Sequence, residues 1–157
     1  MSNVLFKEIS AYEAIKEIYG HKNAWSFLLD FVEASEEIDF DDAGNIVFVY
    51  CDGKSTKNNY FTNEDLYCWV AGFEGDNIVF LQLIRRWSKF HFELVIAQKK
   101  KNSEASNLFG QLVEYVKDTY VKAKYFSTFP MNDRLREYYK LSGFYDWKQK
   151  ELRLDLR

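Results

Sequence analysis

The sequence predicts one domain of the mixed α/β (α+β) class, a mostly antiparallel central sheet flanked by helices, over residues 1–157. Three observations predict it. Apolar residues recur at helical spacing in roughly the first 35 positions, the period shifts toward two from Asn45, and from position 90 a strand, a helix and another strand alternate. At 157 residues, 47% hydrophobic and 18% aromatic, the chain can bury about two-thirds of its unfolded surface in one core.

The elements follow in order. VLFK at 4–7 reads as a short strand, and Ser10 with Glu13 has the S-x-x-E spacing of a capping box. Ala11, Ala14, Ile15, Ile18 and Tyr19 then share one helical face, and Gly20 offers a stop. Asn23 is placed to cap a second helix carrying Trp25, Leu28, Leu29 and Val32. The acidic EASEEIDFDD that follows reads as a solvated helix end and turn. IVFVYC, LYCWVAGF and IVFLQLI read as antiparallel strands separated by turns at Asp52-Gly53 and Glu74 to Asn77, with Lys54 to Asn63 as a surface loop. FHFELVIA at 90–97 is a further strand, and Leu108, Leu112, Val113, Val116 and Tyr120 stripe the next helix. KYFSTF, the lone Pro130, a helix from about Asn132 to Leu141 stopped by Gly143, and the alternating LRLDLR complete the chain.

A formal net charge of -3 and a basic run of only three residues, Lys99 to Lys101, argue against nucleic-acid binding. No apolar run approaches the roughly 20 residues that span a bilayer, and MSNVLFKEIS lacks a secretory pattern, so a cytoplasmic protein without a membrane partner is expected. Cys51 and Cys68 read as reduced core thiols and no metal is expected, because no CxxC spacing accompanies them. Trp69, Trp87 and Trp147 on sheet-like segments leave a homodimer interface open.

VIAQKKKNSEASNLF at 95–109 carries the chemistry. A turn between a strand's end and a helix's start presents unsatisfied N–H groups backed by the helix dipole, which suits anions. Asn102, Ser103, Ala105 and Ser106 are small enough to admit phosphate oxygens, and the lysines add attraction. The segment resembles the acyl-coenzyme A loop of the GCN5-related N-acetyltransferases, V-x-P-x-x-R/Q-x-x-G-x-G/A-x-x-L-L. Val95 stands at its first position, Ala97 where proline is usual, Lys100 for Arg or Gln, Ser103 for the first glycine, Ala105 for Gly or Ala, and Leu108-Phe109 for the apolar pair. NDRLREYYKLSGF is similar to the family's later N-x-x-A-x-x-L-Y-x-K-x-G-F, with Asn132, Leu135, Tyr138, Tyr139, Gly143 and Phe144 in register and Leu141 in place of Lys. The two motifs cover about the last 70 residues, and the three middle strand candidates are one more than the simplest family plan, pointing to an inserted hairpin or a misread loop.

The resemblance implies direct acetyl transfer from acetyl-coenzyme A to an amine acceptor, in a cleft between the splayed strands FHFELVIA and KYFSTF. It implies that the pyrophosphate rests on the N–H groups of Lys101, Asn102, Ser103, Glu104, Ala105 and Ser106 beside Lys100, and that backbone groups from Val95 to Ala97 pair with the pantetheine arm. Asn132 joins the coenzyme-binding set. Tyr139 stands where many relatives carry the acid that protonates the departing thiolate, and Glu93 or His91 would take the amine's proton. The acceptor would lie near His21 to Trp25, Lys54 to Asn63 and Tyr145 to Gln149, with EASEEIDFDD able to attract a cationic amine. The competing reading is an inactive binding or scaffold protein of the same fold, since a Cβ at 103 is costly wherever φ must be positive.

Overall fold

The computed structural model describes residues 4–35, 37–40, 42–43, 46–49 and 65–157; for residue 35 and for 37–40 and 46–49 it describes the backbone alone. Cys51, the Asp52-Gly53 turn and the loop from Lys54 to Asn63 lie outside the described residues.

The capping box forms as its spacing predicts. Ser10 Oγ accepts from the Glu13 amide at 3.1 Å, the Glu13 carboxylate accepts from the Ser10 amide, and α1 (Ala11–Gly20) starts there. The second helix differs from expectation. A turn occupies 21–25 and α2 runs Ser26–Ser35, so Asn23 is not its cap. The acceptor comes from far along the chain instead: the Leu28 amide donates to Gln98 Oε1 at 2.9 Å, and Gln98 Nε2 reaches the Ala24 carbonyl. A first-turn N–H needs an acceptor, but nothing obliges that acceptor to be local.

The acid-rich stretch is also corrected. Beyond α2 it forms β2 (Glu37–Phe40), which pairs antiparallel with β3 (Ile46–Val49) in a separate two-stranded sheet. Ile38 and Phe40 alternate with Glu37 and Asp39, a period of two that the surrounding acids obscure. The first of the three middle strand candidates thus contributes β3 to this separate hairpin, while the other two join the main sheet.

The main sheet contains β1 (Leu5–Ile9), β4 (Tyr67–Glu74), β5 (Asn77–Arg86), β6 (His91–Lys99), β7 (Tyr125–Thr128), β8 (Tyr145–Asp146) and β9 (Leu152–Asp155) in the order β1-β4-β5-β6-β7-β9-β8. Among the described residues only β6 and β7 pair in parallel, as the crossover through α3 (Leu108–Thr119) requires. α4 (Asp133–Leu141) follows β7, and Gly143 at φ +101° ends it in a conformation that disfavours any other residue there.

Each face of the sheet has its own core. Val70, Ile84, Leu94 and Phe126 pack with Leu112 and Val116 of α3, whereas Trp69, Leu81 and Leu83 pack with Ile15 of α1, Leu28 of α2 and Trp25 of the turn between them. Trp69 is therefore core rather than interface. Cys68 is a buried free thiol whose pKa is pushed up to about 11 by burial, which keeps it protonated and unreactive. Among the described residues no helix is long and apolar enough to cross a membrane.

Candidate functional site

The site begins where pairing stops. β6 and β7 are in register from His91↔Tyr125 to Leu94↔Thr128, after which β6 continues alone on that side to Lys99. One residue past the last pair, β6 bulges: Leu83 of β5 faces Ile96 and Ile84 faces Leu94, so Val95 has no partner on β5. The divergence leaves a cavity of about 550 Å³ lined by Val95, Ala97, Phe129, Met131, Leu135 and Tyr139. A neighbouring cavity of about 390 Å³ shares Ala97, Lys99, Leu135 and Tyr139 and extends to Ala105, Ser106 and Leu108 at the start of α3.

The anion-binding turn needs correction. Of the amides expected to hold a diphosphate, that of Lys101 donates to Ala24 O at 3.1 Å, that of Ser103 to Lys100 O at 3.1 Å and that of Ala105 to Ser103 Oγ at 3.2 Å. Lys100 is tied down twice, its amide to Val79 O and its ammonium to Glu17 Oε2 at 3.3 Å, so it does not face a phosphate. Lys99 Nζ turns to the Ala105 carbonyl; Lys99 and Lys101 are both exposed, and only Lys101 has no side-chain partner of the three among the described residues. Asn102, Glu104 and Ser106 keep amides without a partner among the described residues. So do Asn107, Leu108, Phe109 and Gly110, because the first helical bond of α3 runs from the Gln111 amide to Asn107 O. The available donors thus lie mainly at 106–110, about one turn later than the sequence pattern places them.

The left-handed residues in this turn are Asn102 at φ 70° and Asn107 at φ 53°. Ser103 is not among them, so its Cβ costs nothing, and the strain argument for a decayed loop fails at that position. Asparagine tolerates this region better than most side chains, which suits it to both positions.

Asn132 serves α4 before any ligand. Its Oδ1 accepts from the Leu135 amide at 2.9 Å as the helix N-cap, while the residue also borders the larger cavity. Asn132→Ala is expected to cost about 1 kcal/mol of stability, measurable as a lowered urea midpoint with unchanged slope.

Tyr139 lies half-buried against Phe109 and Phe144, with ring centroids 4.9 and 5.9 Å away. Its hydroxyl has no partner among the described residues. Burial, with Tyr138 beside it, raises its pKa, so the phenol carries its proton at neutral pH. His91 and Glu93 share a face, as their spacing requires, and it is the face away from Phe92 and Leu94, which enter the α3 core. Neither lines the cleft, although Glu93 stands two residues before the Val95 bulge. Trp87 Nε1 donates to Glu93 at 2.7 Å, yet burial outweighs that bond and raises the Glu93 pKa. His91 Nε2 lies 2.7 Å from Ser127 Oγ, and burial together with Arg153 lowers its pKa.

No family model and no curated protein matches the sequence. Solved structures do match along nearly the whole chain. The PaiA N-acetyltransferase of Thermoplasma acidophilum, in complex with coenzyme A, superposes with TM-score 0.59 at 10% identity over 98% of this chain and 99% of its own. YhhK of E. coli, bound to coenzyme A, gives 0.62 at 10% identity over 98% of each chain. An acetyltransferase from Thermus thermophilus gives 0.62 at 9% identity over 99% of each.

The chain has the GCN5-related N-acetyltransferase fold. Within that fold the splayed pair β6/β7 and the start of α3 form one continuous groove. An extended ligand could add to the open edge of β6 past Leu94 as a further strand would, with its anionic end on the N–H groups of α3. Sequence reasoning missed Gln98, Phe27 and Met131, the first because its role is to cap a helix 70 residues away, the others because they lie outside either motif. Trp25, expected near the acceptor, is instead fully buried and donates to Glu17 at 2.9 Å.

Proposed function

We propose that this protein transfers an acetyl group directly from acetyl-coenzyme A to a primary amine. The amine nitrogen attacks the thioester carbonyl carbon and the C–S bond breaks. Tyr139 delivers its proton to the departing thiolate, while Glu93 accepts the proton lost by the amine, directly or through water. The observation that carries this reading is the open edge of β6 beyond Leu94, which runs toward unsatisfied amides at the start of α3. Holding thioester and amine together in such a groove needs no covalent intermediate. In support, Tyr139 borders both cavities and keeps its proton, as an acid must.

Calorimetric titration with acetyl-coenzyme A tests the proposal, with saturable binding expected at micromolar to millimolar ligand. Absence of heat at millimolar coenzyme favours the alternative, a scaffold protein of the same fold, for which the internally bonded amides of Lys101, Ser103 and Ala105 are the specific support. Tyr139→Phe is expected to lower kcat about 10²-fold with little change in coenzyme affinity, because it removes a proton donor and keeps the ring's packing.

A further inference from the structure

Residues directly opposite one another across adjacent strands point to the same face of a sheet. The register of the main sheet therefore builds a continuous row, Tyr67↔Arg85↔Glu93↔Ser127↔Arg153↔Tyr145, across β4, β5, β6, β7, β9 and β8. Glu93 stands in its middle. Arg85 is one strand spacing away and Arg153 two, roughly 5 and 10 Å.

Both guanidiniums sit over aromatic rings. Arg85 lies 3.7 Å from the Trp87 ring centroid and 5.4 Å from that of Tyr67; Arg153 lies 4.2 Å from Trp147 and 5.0 Å from Tyr125. Such stacking orients the planar fork while leaving its edge donors available. Those donors are under-used. Arg85 Nη1 donates to the Tyr67 hydroxyl at 2.9 Å and Arg153 Nη2 to Glu151 at 3.2 Å. The remaining Nη of each has no partner among the described residues, and each Nε is buried without one. Trp87, Trp147 and Tyr145 around the row are exposed, so a ligand can reach it.

A guanidinium has five donors and no acceptor, and an ionised carboxylate has only acceptors. We propose that the acceptor of the transfer reaction is an amine that also carries a carboxylate, its nitrogen presented to Glu93 and its carboxylate held by Arg153, on the opposite side of Glu93 from Arg85. This rests on the transferase reading and narrows its substrate class. A purely cationic amine would leave the unused guanidinium donors without an acceptor, although Glu93 and Glu151, the latter paired with Arg153, balance the two arginine charges.

The test compares acetyl transfer to a panel of L-amino acids with transfer to the amines that lack only their carboxylate, such as tyrosine against tyramine, after acetyl-coenzyme A binding has been measured on the same samples. A preference for the carboxylate-bearing member, on the order of 10- to 100-fold in kcat/KM, is expected from one or two charge-assisted hydrogen bonds. Arg153→Met should erase most of that preference by slowing the amino acid while leaving the decarboxylated amine within about threefold; a merely structural role would slow both alike. Titration of Trp fluorescence should report the amino acid and not its decarboxylated partner. Coenzyme binding with equal or better use of the decarboxylated amines overturns this inference alone. So does coenzyme binding without transfer to any amino acid, or a clear preference for phosphoethanolamine. Failure to bind acetyl-coenzyme A removes the transferase reading itself.

Discussion

Glu93→Gln is expected to lower kcat about 10²- to 10³-fold, the range lost when a positioned general base is removed. Its pH profile is the more specific readout. Glu93 must be ionised to accept a proton, and its pKa is raised chiefly by burial, with Glu151 adding to the shift and the Trp87 bond and Arg85 opposing it. The acid limb of kcat/KM should therefore lie above the ordinary glutamate range, with activity rising as pH rises through that raised value. In the Gln variant the limb should vanish. His91 is held below its ordinary pKa by burial and Arg153, so it is neutral at neutral pH and adds no charge beside the base. Stability should move the other way. A carboxyl whose folded pKa exceeds its unfolded one binds its proton more tightly in the native state, so its contribution is complete below the unfolded value and is lost as pH rises through the folded one. The urea midpoint of the Gln variant should thus gain on the parent between about pH 4 and pH 7, while activity falls. Equal midpoints at both values would mean that the carboxylate is solvated and not buried among these groups.

Phe126→Ala is expected to cost about 3–5 kcal/mol, against a total of about 5–15 kcal/mol for a domain of this kind. Phe126 is fully buried at the centre of β7, opposite Phe92 and Leu154 in the sheet register and 6.1 Å from Phe144. β7 contributes only four paired residues to the parallel ladder, so little else holds the short wall of the cleft. Phe126→Leu keeps most of the volume and should cost less than about 1.5 kcal/mol. Denaturation of the two variants, with coenzyme binding measured below their midpoints, checks both points. The Ala variant should lose affinity along with stability, because the ring supports the strand that opens the groove.

The elements most legible in the sequence are those whose signals are local. The capping box at Ser10 and Glu13, the stripe from Leu108 to Val116, and the stop at Gly143 each need only their own neighbours, and each appears where its spacing predicts. The β2/β3 hairpin was half legible, its apolar alternation masked by the acids around it. α2 starts later than its local signals predict, because Asn23 satisfies a local rule while the needed acceptor comes from Gln98. The site divides in the same way. Tyr139 and Val95 line one cavity, whereas Lys100, Lys101, Ser103 and Ala105 spend the groups assigned to them on partners in the protein.

By itself, then, the sequence determined most of the order of helices and strands, β2 excepted, and the burial of each face, since hydrophobic periodicity acts over a few residues and survives any arrangement of the rest. Which amides remain free at the start of α3, and which side chains stand beside Glu93, only the tertiary structure decided. A hydrogen-bond donor takes any acceptor that folding brings within reach, and a cross-strand neighbour is chosen by register between segments tens of residues apart.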